Sequence, residues 1–273
     1  MQDPVKFNSK DVVIQTIRIS EDSAISFCTE RGGIITSLVL QGKEILYLDK
    51  ETFEDTEKNV RGGIPILFPN AGAFESTQFP LLGQHGFARN SSKWISQTTL
   101  NGFTESLSSD EESKKMYLYD FQLSVEGKFE NDGSFTLIQK VENNDKKNML
   151  PIAMGLHPYF KVENDKKKNI QFNFEGGKYI EEQFYNWSEG NFISIDNPKI
   201  HNPQAVMNIV LPNVGTLMID ASVEYKKIWI WSLPGENFIC IEPVMRDVQG
   251  LVNDPELLMP NAVFSGSVNF NLK

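Results

Sequence analysis

The sequence predicts an all-β chain, one large antiparallel β domain spanning residues 1–273. Three observations predict it. Apolar and polar residues alternate with period two in short runs rich in β-branched and aromatic side chains, as strands with one buried face require. Clusters of Gly, Asn and Asp cut these runs at regular intervals, with no change of composition along the chain. No stretch combines 3.6-residue apolar periodicity with caps at both ends, so no helix longer than two turns is predicted.

In chain order, VVIQTIRIS and AISFCTERGGIITSLVLQGKEILYLD read as strands, with Gly32-Gly33 marking a bulge or tight bend. The charged segment KETFEDTEKN is a helical turn or simply exposed. Residues 94–107, 115–129 and 134–142 read as strands, and FENDGSF signals a hairpin with Asp132-Gly133 at its tip. MLPIAMGLHPYFKV breaks the alternation, and Pro158 holds His157 in extended geometry. Residues 178–203 are polar and aromatic with weak periodicity, which suits loops around a cleft or a peripheral subdomain. From Val206 to Leu272 the pattern is β again. Glu242 closes the apolar run FICI, and Pro243 is expected to stop the ladder directly after it.

Residues 61–94 stand apart. RGGIPILFPNAGAFESTQFPLLGQHGFARNSSKW holds Pro65, Pro69 and Pro80, too many breakers for a strand or helix core. It is nevertheless apolar, and Ile64, Ile66, Leu67, Phe68, Phe74, Phe79, Leu81, Leu82 and Phe87 all call for burial. A long apolar loop of this kind is packed down and functional. Gly86, between His85 and Phe87, is expected to let backbone approach a ligand.

Composition narrows the function. The chain has 273 residues, 40% hydrophobic and 23% charged, with a formal net charge of -10. An acidic chain whose only cationic run is KKK at 166–168 is not expected to bind nucleic acid. A local arginine pair can still hold phosphate. Cys28 and Cys240 sit in apolar runs and read as buried free thiols. The N-terminus lacks a leader pattern and no apolar run is long enough to span a bilayer. The expectation is a soluble, cytoplasmic monomer or homodimer without a membrane partner.

Only three histidines occur, and two, His85 and His157, fall in the stretches that break strand periodicity. Two imidazoles with Glu242 are what proton transfer near neutral pH uses. Arg61 and Arg89 flank the long loop and suit hydroxyls, a carboxylate or phosphate at a cleft mouth. Phe68, Phe87, Tyr159, Phe160 and Trp231 are candidates for a wall against a sugar's apolar face. The same His and Glu residues would also make a metal set, but no HxxxH or HxH spacing supports one, and no metal is expected. G-x-S-x-G, P-loop and G-x-G-x-x-G patterns are absent, so neither serine hydrolysis nor a nucleotide cofactor is expected.

RGGIPILFPNAG, QHGFARNSSKW, GLHPYF and FICIEPVM, in this order and roughly at these distances, resemble the aldose 1-epimerase (galactose mutarotase) superfamily. The first two are most similar to the branch of glucose-6-phosphate 1-epimerases and bacterial mutarotase-like proteins. The resemblance covers most of the chain. It implies a large antiparallel β-sandwich with a carbohydrate cleft across one sheet, a sugar or sugar phosphate as partner, and no cofactor. It implies His157 as general acid, Glu242 as general base and His85 as the residue holding the ring oxygen and anomeric hydroxyl. Arg61 and Arg89 match basic residues of the sugar-phosphate branch, with Gln84, Phe68 and Tyr159 completing the binding set. An acidic residue that grips sugar hydroxyls is also implied, and Glu182, Glu189 and Asp196 are all candidates. The activity implied is interconversion of α and β anomers of an aldohexose or its 6-phosphate. The alternative is a catalytically weak carbohydrate-binding or sugar-sensing protein of the same fold.

Overall fold

The structure is a computed structural model and describes residues 5–6, 12–185 and 192–273. Antiparallel sheets dominate it. An eight-stranded sheet runs in the order Gln171–Asn173, Met207–Leu211, Gly215–Ala221, Val263–Leu272, Phe135–Asn143, Phe121–Phe129, Gly102–Ser108, Ile95–Thr98. A six-stranded sheet runs Phe192–Asp196, Lys227–Trp231, Phe238–Val244, Gly155–Leu156, Ile66–Leu67, and Tyr159–Lys161 also pairs with Phe238–Val244. The two sheets pack face to face: Phe160 of the smaller lies 6.0 Å from Phe270 of the larger, ring to ring. Buried Gln139 of the larger sheet donates to the Leu67 and Gly155 carbonyls of the smaller, and accepts from the Tyr225 hydroxyl. The fold is the expected large antiparallel β-sandwich.

Strand alternation explains the core. Phe121–Phe129 and Phe135–Asn143 bury every second residue and meet in the predicted hairpin, Phe129 opposite Phe135. The N-terminal strands Val13–Ser20, Ser23–Cys28 and Ile34–Leu40 form part of a five-stranded sheet, and Phe27 stacks on Phe103 of the large sheet at 4.3 Å. The tight bend at Gly32-Gly33 is real, with φ of 80° and 62°. A Cβ on Gly32 would meet the Arg89 carbonyl oxygen at 1.9 Å, so the bend seats directly on the backbone that carries Arg89.

The long loop is packed down as its composition requires. Gly62 through Gly72 are buried throughout. Leu81 departs from expectation and is 63% exposed. Gly86 serves a different purpose from the one its position suggests. A Cβ there would meet the Phe68 carbonyl oxygen at 2.1 Å, so this glycine admits the protein's own backbone rather than a ligand.

Two further elements differ from the sequence reading. Gly177–Tyr185 is a nine-residue helix, longer than the two turns expected. Tertiary ties hold it: Ile180 is buried and the Glu181 carboxylate accepts from the Phe172 N–H. Pro243 does not end the ladder, since it pairs with Ile228 and the strand continues to Val244. On the other edge of this strand the Ile241 and Met245 amides donate to the Pro158 and Met154 carbonyls. The imino group of Pro243 falls between them, where the partner chain leaves the ladder around His157, so no bond is lost. Glu242 therefore sits inside a strand.

Candidate active site

The register of the six-stranded sheet builds the site. Antiparallel partners project to the same face. Cys240 pairs with Trp231 on one side and Tyr159 on the other, and Trp231 pairs with Phe192. Phe192, Trp231, Cys240 and Tyr159 thus form one row across the sheet. The neighbouring row begins with Trp229 opposite Glu242. Gly155 pairs with Val244 and Tyr159 with Cys240, so His157, midway, falls opposite Glu242. The long loop lies along the far side: the His157 and Tyr159 amides donate to the Pro65 and Gly63 carbonyls.

A cleft of about 480 Å³ opens over these rows. Its lining includes His85, His157, Glu242, Arg61, Arg89, Gln84 and Tyr159, all expected from the sequence, together with Trp231. Phe68 is not among them. It is fully buried against Phe87, Tyr117 and Phe121, with Ile66, on the core face of the sheet. Phe160 likewise faces the core. The sequence reading missed Trp229, Phe192 and Gly72. The spacing of Trp229 to Trp231 was the available signal for the first, because residues two apart on a strand share a face. Of the candidate gripping acids, Glu182 is exposed on its helix and lines no part of the cleft. Asp196 is engaged by Lys227 at 2.9 Å, and Glu189 lies outside the described residues.

His157 Nδ1 lies 3.5 Å from Glu242 Oε1, and the two side chains are 5% and 4% exposed. Neither His157 Nδ1 nor Glu242 Oε2 has a hydrogen-bond partner. The His157 ring stacks on Tyr159 at 4.6 Å and stands 5.1 Å from His85. Burial pushes Glu242 well above the usual carboxylate range, with Arg89 opposing, and pushes His157 well below the usual imidazole range, with His85 and Arg89 adding to it. Burial of both groups therefore favours a neutral pair with the proton on Glu242, not the ion pair that proximity alone suggests.

His85 is held differently. Its φ is 66°, a left-handed backbone supported by a reciprocal contact with Gly72: the His85 amide donates to the Gly72 carbonyl, and the Gly72 amide donates to His85 Nδ1 at 3.0 Å. Nδ1 is thus an acceptor and the neutral ring carries its proton on Nε2. Burial lowers its pKa to about 3, so the ring stays neutral and donates from Nε2. The Gln84 amide lies 3.2 Å from Nε2, and its oxygen is the atom that suits that donor.

The arginines separate. Arg61 is ion-paired to Glu236 at 3.1 Å on the rim. Arg89 rides the turn Ala88–Asn90, which is pinned by Trp94 Nε1 donating to the Ala88 carbonyl at 2.9 Å. Among the described residues its guanidinium has no hydrogen-bond or ion-pair partner, although its charge is felt at His85, His157 and Glu242. It sits beside His85, His157 and Glu242, not at the mouth.

The family model for aldose 1-epimerase matches residues 15–209, most of the chain. The chain belongs to the aldose 1-epimerase family. Isomerase chemistry on a sugar is the activity of that family. The fold is similar to that of a protein from Synechocystis sp. PCC 6803, at 24% identity and a TM-score of 0.82 over 100% of this chain and 99% of that one. It is also similar to a galactose mutarotase-like protein from Clostridium acetobutylicum, at 17% identity and TM-score 0.72 over 97% and 99%. A galactose mutarotase-like protein from Lactobacillus casei matches at 17% identity and TM-score 0.71 over 95% and 100%. No helix among the described residues of this aldose 1-epimerase family member is long and apolar enough to cross a membrane.

Proposed function

We propose that the protein interconverts the α and β anomers of an aldohexose or its 6-phosphate. The observation that carries this is His157 opposite Glu242, two buried proton-handling groups with unpartnered atoms at the base of an aromatic cleft. Ring opening requires one group to take the anomeric hydroxyl proton while another protonates the ring oxygen. Closure on the other face of the aldehyde reverses both transfers, so no electrons move and no second substrate is consumed. Glu242 acts as base and His157 as acid after the shared proton passes to His157 on substrate binding, a short transfer at 3.5 Å. His85, locked neutral with Nε2–H outward, donates to a sugar oxygen. Trp229, Trp231, Tyr159 and Phe192 offer the ring an apolar wall.

A coupled mutarotation assay on glucose, galactose and glucose 6-phosphate tests the reading. Acceleration of none of them, together with sugar binding in calorimetry, would make the protein a binder instead. Within that assay, His157→Asn lowers kcat more than His85→Asn does, and His85→Asn shows the larger relative rise in KM. The reverse pattern would exchange the two roles.

The phosphate branch of the proposal rests on Arg89, since Arg61 is engaged by Glu236. A charge-assisted hydrogen bond is worth about 1.5–3 kcal/mol, roughly tenfold to a hundredfold in kcat/KM. Arg89→Ala is therefore expected to cut kcat/KM for glucose 6-phosphate at least tenfold more than for glucose, and sulfate should compete in the wild type. Equal losses on both sugars, with no sulfate inhibition, would leave a mutarotase of unphosphorylated aldoses.

A further inference from the structure

We propose that His157, Cys240 and Glu242 form a binding site for a thiophilic divalent cation of the zinc class, whose occupancy shuts the cleft to sugar. Cys240 and Glu242 are two residues apart on Phe238–Val244 and share its cleft-side face, and His157 stands opposite Glu242. A donor atom from each lies within 4.8 Å of the other two, and all three residues are buried. In a tetrahedral site with metal–ligand bonds of about 2.0–2.3 Å, neighbouring donors are about 3.3–3.7 Å apart. His157 Nδ1 and Glu242 Oε1, at 3.5 Å, already have that spacing. With the donors at most 4.8 Å apart, closing the third side takes a shift of about 1 Å in the donor atoms.

An independent observation points to a ligand here. His157 Nδ1 and Glu242 Oε2 are buried polar atoms without partners, and a cation bound to the ring nitrogen and held by both carboxylate oxygens would satisfy both. The donor set selects the ion: a thiolate with an imidazole and a carboxylate suits zinc or cadmium and disfavours magnesium and calcium. Binding expels the Cys240 thiol proton and the Glu242 carboxyl proton to solvent, leaving a dication balanced by two ligand charges. A water would complete the shell in the fourth position. Arg89 adds a like charge nearby, which makes the site reversible and weaker than a structural zinc centre. The ion would occupy the same atoms that the proposed function assigns to proton transfer, so metal and sugar exclude each other. The metal binding itself does not depend on that reading.

The test uses the full chain, reduced and stripped with chelator, titrated with cadmium chloride. The wild type is expected to develop an ultraviolet thiolate-to-cadmium charge-transfer band saturating at one equivalent, with a rise in melting temperature. Cys28→Ala retains the band, because Cys28 is the other thiol and packs in a separate core cluster with Val12, Ile14, Ile34 and Phe53. Cys240→Ala and Cys240→Ser lose it. In the assay, zinc raises KM for sugar without lowering kcat, and Cys240→Ala raises the zinc inhibition constant by about tenfold or more, in line with the loss of one ligand. Absence of the band in the wild type, or its survival in a folded Cys240 variant, overturns the proposal. If no tested sugar is turned over, the proposed function fails while the spectroscopic titration still decides the metal site.

Discussion

Glu242→Gln is expected to fold with unchanged or slightly higher stability and to lose at least two orders of magnitude in turnover. Burial favours the neutral form of this side chain, and glutamine reproduces that form in shape and charge. The protein thus loses nothing that folding relies on, while the cleft loses the one carboxylic acid that lines it among the described residues. A general base typically contributes about 10²–10⁴ in rate. Mutarotation rates and thermal melts on the same preparation separate the two effects. Turnover within about twofold of the wild type removes Glu242 from the mechanism, and loss of both fold and activity makes it a structural residue.

The second large effect lies away from the cleft. Glu105, on Gly102–Ser108, is fully buried, and neither carboxyl oxygen has a hydrogen-bond partner. Burial pushes its pKa from 4.5 up to about 8. A folded-state pKa above the unfolded one means the native state holds the proton more tightly. The stability this contributes is fully present below pH 4.5 and is lost as pH rises toward about 8. At about 1.36 kcal/mol per unit the loss is on the order of 5 kcal/mol. Glu105→Gln cannot ionise. It is expected to match the wild type or be slightly weaker at pH 5, because a buried amide also wants partners. By pH 9 it should be the more stable protein. Urea unfolding of both across that range checks this, and parallel stability curves would mean that Glu105 ionises without cost.

Much of the fold was legible because period-two alternation is a direct signature of strands with one wet face, as in Phe121–Phe129. His85, His157 and Glu242 were legible because each interrupts an otherwise apolar stretch. What the sequence hid is parity. Phe68 and Tyr159 are both aromatics in the two irregular stretches, yet one faces the core and the other the cleft, and only the pairing of Tyr159 with Cys240 decides it. Pro243 misled because a proline normally stops a central strand, and here the partner chain has already left the ladder at that point. The charge state of the His157–Glu242 pair was hidden too, since it depends on depth of burial and not on which residues are neighbours.

The cross-strand rows beneath the cleft also constrain how such a chain can diverge. An inserted or deleted residue in the turn between Trp231 and Phe238 is absorbed where the backbone is free to bulge. The same change between Phe238 and Glu242, or between Trp229 and Trp231, would exchange the two faces of the strand. In the first of these places it would send Ile241 into the cleft and the carboxylate into the core. Length variation among descendants should therefore accumulate in that turn and be purged a few residues to either side, even where individual side chains are free to drift.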